Sequence, residues 1–245
     1  MPIDLTSKRM LSDRLNAQID KALQAENALE TPRDYLGGSQ IGADCERALQ
    51  YDFFNTPKDE GREFSGQILR IFERGYWVED AVIPWLRLAG VEIHTEDENG
   101  NQFGFSEYGG KFAGHYDGII TAGPAEFGPF PRLWENKGLK QEAWRPLVKN
   151  KLKKEKPIYY AQCQIYMEGA KLTENPALFS AVNMNTMEIY WESVPYSQPD
   201  TERLYAKAVR ILQASHHGEL LPRMSQDPTF YKCKWCDWNK RCFAK

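Results

Sequence analysis

Apolar residues recur along this chain with helical spacing in some stretches and with alternation in others. Leu11, Leu15, Ile19 and Leu23 stand four residues apart within 8–31, which predicts a first helix. Gly37-Gly38-Ser39 breaks it. A second, short helix is expected to open at Cys45 and run through Ala48, Leu49, Tyr51 and Phe54, with Asn55-Thr56-Pro57 closing it. The strongest helical pattern covers 64–89, where Ile68, Ile71, Phe72, Val78, Val82, Ile83, Leu86 and Leu88 fall mostly three and four residues apart. Pro84 predicts a kink or a join there, and Gly90 a stop.

Beyond Gly90 the period shortens. Val91–Ile93 and Gln102–Phe105 read as short strands around the polar turn Glu98-Asn99-Gly100. Lys111–Thr121 alternates and then turns apolar, which predicts one central strand. A Pro/Gly loop over 123–131 leads to a strand at Arg132–Leu139. A helix is expected over 156–172, strands at Leu178–Asn183 and Glu188–Val194, and a helix over 199–216 that stops by Gly218. The order of helices, strand meander, helix, strands, helix and cysteine-rich tail predicts an α/β fold with a mixed central sheet flanked by helices.

The chain has 245 residues, enough for one substantial core or one core with a small appendage. We expect one domain over 1–245: a helical segment over 1–60, a core over 64–196, and a final helix and tail over 197–245. Hydrophobic residues make up 42% and charged residues 27%, ordinary for a soluble protein. A net charge of −3 excludes a global basic field, so any nucleic-acid surface must be local. No apolar run approaches the roughly 20 residues a membrane span needs. The first residues mix acids with bases and hold no continuous apolar stretch, unlike a secretory signal. No membrane partner and a cytoplasmic location are expected, where cysteines stay reduced and a cysteine cluster points to metal.

Two constellations carry chemistry. The first is acidic. On a strand, side chains alternate faces, so Glu135 and Lys137 share one face while Asn136 takes the other. Asp117, in Gly114-His115-Tyr116-Asp117-Gly118, lies on a segment expected to pair with them. Two carboxylates a few ångströms apart call for a cation between them, and hard oxygen donors suit Mg2+ or Mn2+. The main-chain carbonyl of Asn136 is a further candidate donor, and Glu79 on the preceding helix can reach the same ion. A lysine beside that ion neutralises charge developing on a phosphate. Charges alternating on a surface strand produce the same D…E-x-K pattern. Three features set this one apart: glycines flank Asp117, Glu135 follows the apolar Leu133-Trp134, and Glu79 is at hand.

The second constellation is thiolate. Cys233, Cys236 and Cys242 form C-x2-C-x5-C in the tail, and Cys45 stands alone upstream. Four thiolates hold zinc or an iron–sulfur cluster. Joining the two ends of the chain removes several kcal/mol of unfolded-chain entropy in the simple loop model. Trp235, Trp238 and Phe243 are expected to shield the clasp. Cys163 reads as a small buried residue.

In order along the chain, Gly75–Glu79, Gly114–Asp117, Glu135–Lys137 and Gln162–Tyr166 resemble the G-x-x-x-H/E, G-x-x-D, E-x-K and Q-x-x-x-Y elements of the PD-(D/E)XK nucleases, in their RecB-like branch. The resemblance implies a restriction-endonuclease-like core, metal ligation by Glu79, Asp117 and Glu135, a catalytic Lys137, and helix support or DNA contact from Gln162 and Tyr166. The branch often carries His where Glu79 stands, which bears on the number of metals. Cys45-Glu46-Arg47 with the three tail cysteines is similar to the iron–sulfur members of that branch, AddB-type nuclease domains and CRISPR-adaptation exonucleases. It implies a 4Fe-4S cluster on Cys45, Cys233, Cys236 and Cys242, with zinc as the alternative.

Eight basic residues between Lys137 and Lys156, against two acids, form either a solvated surface loop or a track for phosphates. Trp144 is a candidate to stack on an unpaired base or to be buried. His115 is a candidate neighbour of the metal; His94, His216 and His217 read as surface residues. The expectation is a Mg2+- or Mn2+-dependent deoxyribonuclease. It is expected to act as an exonuclease on single-stranded or frayed DNA, in recombination, repair or phage DNA processing. The alternatives are a degenerate module that binds DNA or protein without cutting, and a zinc-stabilised RNA-processing enzyme.

Overall fold

The computed structural model describes residues 5–244. Helix α1 (Leu5–Asn27) lies against α3 (Gly66–Leu88), tied by an ion pair between Arg70 and Asp20. Its Met10, Leu11, Leu15 and Ile19 remain 49–62% exposed. Helix α2 (Glu46–Phe53) opens with Cys45 at its N-cap, as its sequence predicts. Ser65 caps α3 by accepting the Ile68 N–H at 3.3 Å. The helix then runs through Pro84 without a join. Burial of Val78, Val82 and Leu86 on the sheet holds the turns on both sides of the proline, offsetting the hydrogen bond it cannot make.

A five-stranded mixed sheet follows the order β2-β5-β6-β7-β8, with strands β2 (Glu92–His94), β5 (Gly118–Ala122), β6 (Arg132–Leu139), β7 (Ala177–Asn183) and β8 (Ile189–Val194). Within this sheet only β6 and β7 run parallel. The chain crosses between them through α4 (Gln141–Asn150), α5 (Leu152–Glu155) and α6 (Pro157–Gly169), as a parallel pair requires. A second sheet of three strands, β1 (Leu36–Gly37), β4 (Phe112–His115) and β3 (Gly104–Glu107), lies beside it. Helix α7 (Gln198–His216) packs on α6 and α2, and two short helices, α8 (Tyr231–Lys234) and α9 (Asn239–Phe243), carry Cys233 and Cys242, with Cys236 in the turn between them.

Alternation along β6 divides the core. Trp134 faces α3 with Val78, Val82, Ile120 and Val182. Leu133 and Leu139 face α6 with Ile165, Phe179 and Ala181. The class is therefore the expected mixed α/β one, with two departures. The expected single strand over Lys111–Thr121 is two strands in two sheets, β4 and β5, broken at Tyr116-Asp117. There Tyr116 donates its N–H to the Phe103 carbonyl (2.8 Å), while the Asp117 carboxylate turns to β6. The expected turn over 98–100 likewise joins strands of different sheets, linked only by an isolated bridge between Glu96 and Gln102.

The lysine-rich stretch after Lys140 is largely helical, where a surface loop was one of the two expectations. Leu147 and Leu152 are fully buried and anchor it, and the Glu192 carboxylate accepts the Leu152 N–H at the start of α5 (3.0 Å).

Candidate active site

The break at Asp117 builds the site. Pairing between β5 and β6 ends at Gly118 and Trp134, so the next residues of β6 have a free edge. The Asp117 carboxylate occupies it, accepting the Asn136 N–H at 2.7 Å. In extended backbone a residue's N–H and C=O point to the same side. The Asn136 carbonyl therefore also points toward Asp117. The Asn136 side chain takes the opposite face, where it accepts from Ser180 (2.7 Å).

Glu135 projects toward α6 and is fully buried. Gln162, on α6, donates to its Oε1 at 2.7 Å. The Lys137 ammonium donates to the same oxygen, stands 3.9 Å from Asp117 Oδ2, and lies 5.6 Å from the centre of the Tyr159 ring. Asp117, Glu135 and Lys137 thus converge. Glu79 reaches the same cleft from α3. The cleft, about 560 Å3, is lined by Glu79, Asp117 and Lys137 with Asn136, His115, Gln162 and Tyr166, and Glu135 lies behind its wall.

The glycines flanking Asp117 have packing reasons. A Cβ on Gly114 would sit 2.7 Å from the Tyr166 ring, and one on Gly118 2.9 Å from Ile93. A Cβ on Gly38 would sit 2.9 Å from the same Tyr166 Cε1. Tyr166 is therefore packed tightly against two glycines, which fixes α6 and with it Gln162.

Three carboxylates share one ammonium, and the charge does not balance. Burial, then the negative charge of Asp117, pushes Glu79 up to about 7 and Glu135 up to about 8. Burial lowers the proton affinity of Lys137, but Glu135 and Asp117 outweigh it, so the ammonium holds its proton more tightly than an ordinary lysine. Burial also raises the Tyr166 phenol. Glu135 Oε2 is buried with no hydrogen-bond partner among the described residues. Surplus negative charge, an unpartnered carboxylate oxygen and a main-chain carbonyl on the same edge fit a hard divalent cation. Among the described residues, however, no three His, Cys, Asp or Glu side chains stand close enough to hold a metal as they are.

The cysteines follow a similar pattern. Cys45, Cys233, Cys236 and Cys242 line one cavity of about 700 Å3, and none is in a disulfide. Burial, then the charge of neighbouring thiols, raises Cys233; burial raises Cys236. The Arg47 guanidinium donates to Cys242 Sγ at 3.8 Å. The four thiols therefore face one space without closing on it. Of the expected shields, Trp238 is buried and donates to the Thr56 carbonyl (2.9 Å). Trp235 is 71% exposed and shields little. Cys163 is buried, as expected.

Two other sequence candidates settle differently. Trp144 donates to the Ala181 carbonyl (2.8 Å) and packs on the core, so its ring is not free to stack. Lys153 is committed to Asp200 (2.8 Å), which its lysine and Tyr160 partners hold at about 2. Missed at the sequence level were Tyr159, Arg33, Arg74, Phe72 and Tyr76, all in or beside the cleft. The helical spacing of Phe72, Gly75, Tyr76 and Glu79 was the available signal.

The alkaline exonuclease LHK-Exo from Laribacter hongkongensis matches this backbone with a TM-score of 0.51 at 13% identity, over 76% of this chain and 90% of that one. LHK-Exo in complex with dAMP matches with the same TM-score and identity, over 76% and 89%. This chain shares their fold. At this identity the likeness is one of backbone architecture. No family model matches the sequence, and no curated protein does. Among the described residues, no helix is long and apolar enough to cross a membrane.

Proposed function

We propose that this protein is a metal-dependent deoxyribonuclease that trims single-stranded or frayed DNA ends in the cytoplasm, in recombination, repair or phage DNA processing. The observation that carries the reading is the uncompensated acidic cluster: Glu79, Asp117 and Glu135 around the one ammonium of Lys137, at the free edge of β6. The fold shared with the exonuclease LHK-Exo supports it.

Glu79, Asp117, Glu135 and the Asn136 carbonyl would hold Mg2+ or Mn2+, which supplies Lewis acidity toward a phosphate and toward water. The chain's own residues do the positioning. Asn136 N–H fixes the Asp117 carboxylate. Gln162 fixes Glu135, and Tyr166 fixes the helix that carries Gln162. Lys137, protonated at any working pH, presents positive charge where a phosphoryl group gains negative charge.

Cys45, Cys233, Cys236 and Cys242 would hold a 4Fe-4S cluster, which ties the N-terminal segment to the tail. Zinc is the alternative occupant. The shared cavity and the donor set support this reading. Anaerobically purified protein with the broad visible absorption of iron–sulfur thiolates distinguishes the cluster from colourless zinc.

The deciding experiment is purified protein with Mn2+ on end-labelled single- and double-stranded DNA. Progressive loss of label from ends, absent in Glu135→Ala, is expected. Strand binding without cutting would make the chain a binding module of the same fold.

A further inference from the structure

One wall of the acidic cleft carries aromatic rings that stand largely in the open. Phe72, Gly75, Tyr76 and Glu79 fall on a single face of α3, at spacings of three and four residues. Glu79 belongs to the acidic cluster. With a rise of about 1.5 Å per residue, Tyr76 lies roughly 5 Å and Phe72 roughly 10 Å along the axis from it. Tyr76 is 69% exposed and Phe72 48% exposed. Both line the cleft with Asp117 and Lys137. Phe64 braces Phe72 edge-on, with ring centres 5.0 Å apart. Apart from its chain neighbours and its own helix backbone, no atom stands within 4 Å of the position a Gly75 Cβ would take, so that turn of α3 is unobstructed on its cleft side. Arg74 lines the same wall.

Large rings standing in water at the mouth of a polar cleft mark a binding surface. Farther along α3, Val78, Val82 and Leu86 supply the core, while Phe72 and Tyr76 stay exposed. Rings spaced along a groove with arginine beside them are the chemistry that grips unpaired bases, since every base has a π-face. A duplex hides those faces within its stack.

Resting on the nuclease reading above, we propose that Tyr76 and Phe72 form a stacking platform for consecutive unpaired bases of the DNA strand whose phosphate reaches the acids. The unobstructed turn at Gly75 leaves room for the strand beside the rings. This platform makes the site selective for single-stranded ends. Trp144 cannot serve, because its ring is tied into the core.

The test compares binding of two labelled strands of equal length and charge, oligothymidylate and an abasic strand, by fluorescence anisotropy in EDTA so that nothing is cut. Base stacking is worth about 1–3 kcal/mol per base, or roughly 5- to 140-fold in affinity. With both rings engaged, the native protein is expected to prefer oligothymidylate by at least roughly 25-fold. Tyr76→Ala and Phe72→Ala should each lose at least about 5-fold for oligothymidylate and nothing for the abasic strand, while Tyr76→Trp keeps the preference. Circular dichroism confirms that the variants fold. Equal binding of both strands by the native protein, or alanine variants that discriminate as it does, overturns the proposal. If the native protein still cuts DNA with Mn2+ in that case, only the platform falls. If it neither binds nor cuts DNA, the nuclease reading falls with it.

Discussion

Stability without metal should fall as the pH rises, and the acidic cluster should be the cause. Burial and mutual repulsion raise Glu79 from 4.5 to about 7 and Glu135 from 4.5 to about 8. A carboxyl raised on folding contributes stability that is full below its unfolded value. That contribution is lost as the pH rises through the folded value. The window is therefore pH 4.5 to 8, with stability decreasing across it. Each pKa unit corresponds to about 1.4 kcal/mol. Because the two groups interact with one another and with Lys137, the joint loss is on the order of 3–5 kcal/mol, a large share of the 5–15 kcal/mol typical of a domain. At about 2–4 °C per kcal/mol for a chain of this size, Tm should drop by roughly 10 °C between pH 5.5 and 8.5. The assay is thermal unfolding in EDTA followed by circular dichroism, in the native protein and in Glu135→Gln. The variant cannot ionise at 135, and it lightens the repulsion on Glu79, so it should lose much less. Mn2+ added at pH 8.5 should restore the native Tm. Equal drops in the two proteins would refute the reasoning, because the pH dependence would then come from elsewhere.

Other outcomes follow from the same geometry. Lys137→Ala should reduce cleavage by about 100-fold or more while leaving strand binding in EDTA close to native, as gel shift and end-label release can separate. Gln162→Leu removes the bond that orients Glu135, and should weaken apparent Mn2+ affinity by roughly 10- to 100-fold in a metal titration of activity. Gly114→Ala would drive a methyl into the Tyr166 ring; it should lower both Tm and activity, and Tyr166→Leu in the same chain should restore Tm but not activity. Arg132 is fully buried and donates to four carbonyls, those of Pro176, Phe127, Gly128 and Ala177, and to the Ser193 hydroxyl, at 2.7–3.2 Å. Arg132→Met strands those acceptors and should cost roughly 3–5 kcal/mol in urea unfolding, with an unchanged fold at low denaturant.

Periodicity alone located the long helices, because the apolar faces of α2, α3, α6 and α7 repeat within a few residues and need no distant partner to be seen. The alternation of β6 was equally local, so the shared face of Glu135 and Lys137 was legible in the sequence by itself. The ordering of Gly75–Glu79, Gly114–Asp117, Glu135–Lys137 and Gln162–Tyr166 was likewise written in the chain. Tertiary structure decided what depends on partners far away. Asp117 interrupts a strand because its carboxylate bonds the nitrogen of Asn136, nineteen residues on. The basic stretch folds as helices because Leu147 and Leu152 find a core built by other segments. Lys153 is spent on Asp200, and Trp144 on Ala181, through contacts about forty residues long. The four cysteines face one cavity only because α2 and the tail meet, and Glu79 acquires its proton affinity from burial in the cleft and then from Asp117 beside it. Short-range pattern fixes the face a side chain takes; what that side chain meets there is set by the packing of the whole chain.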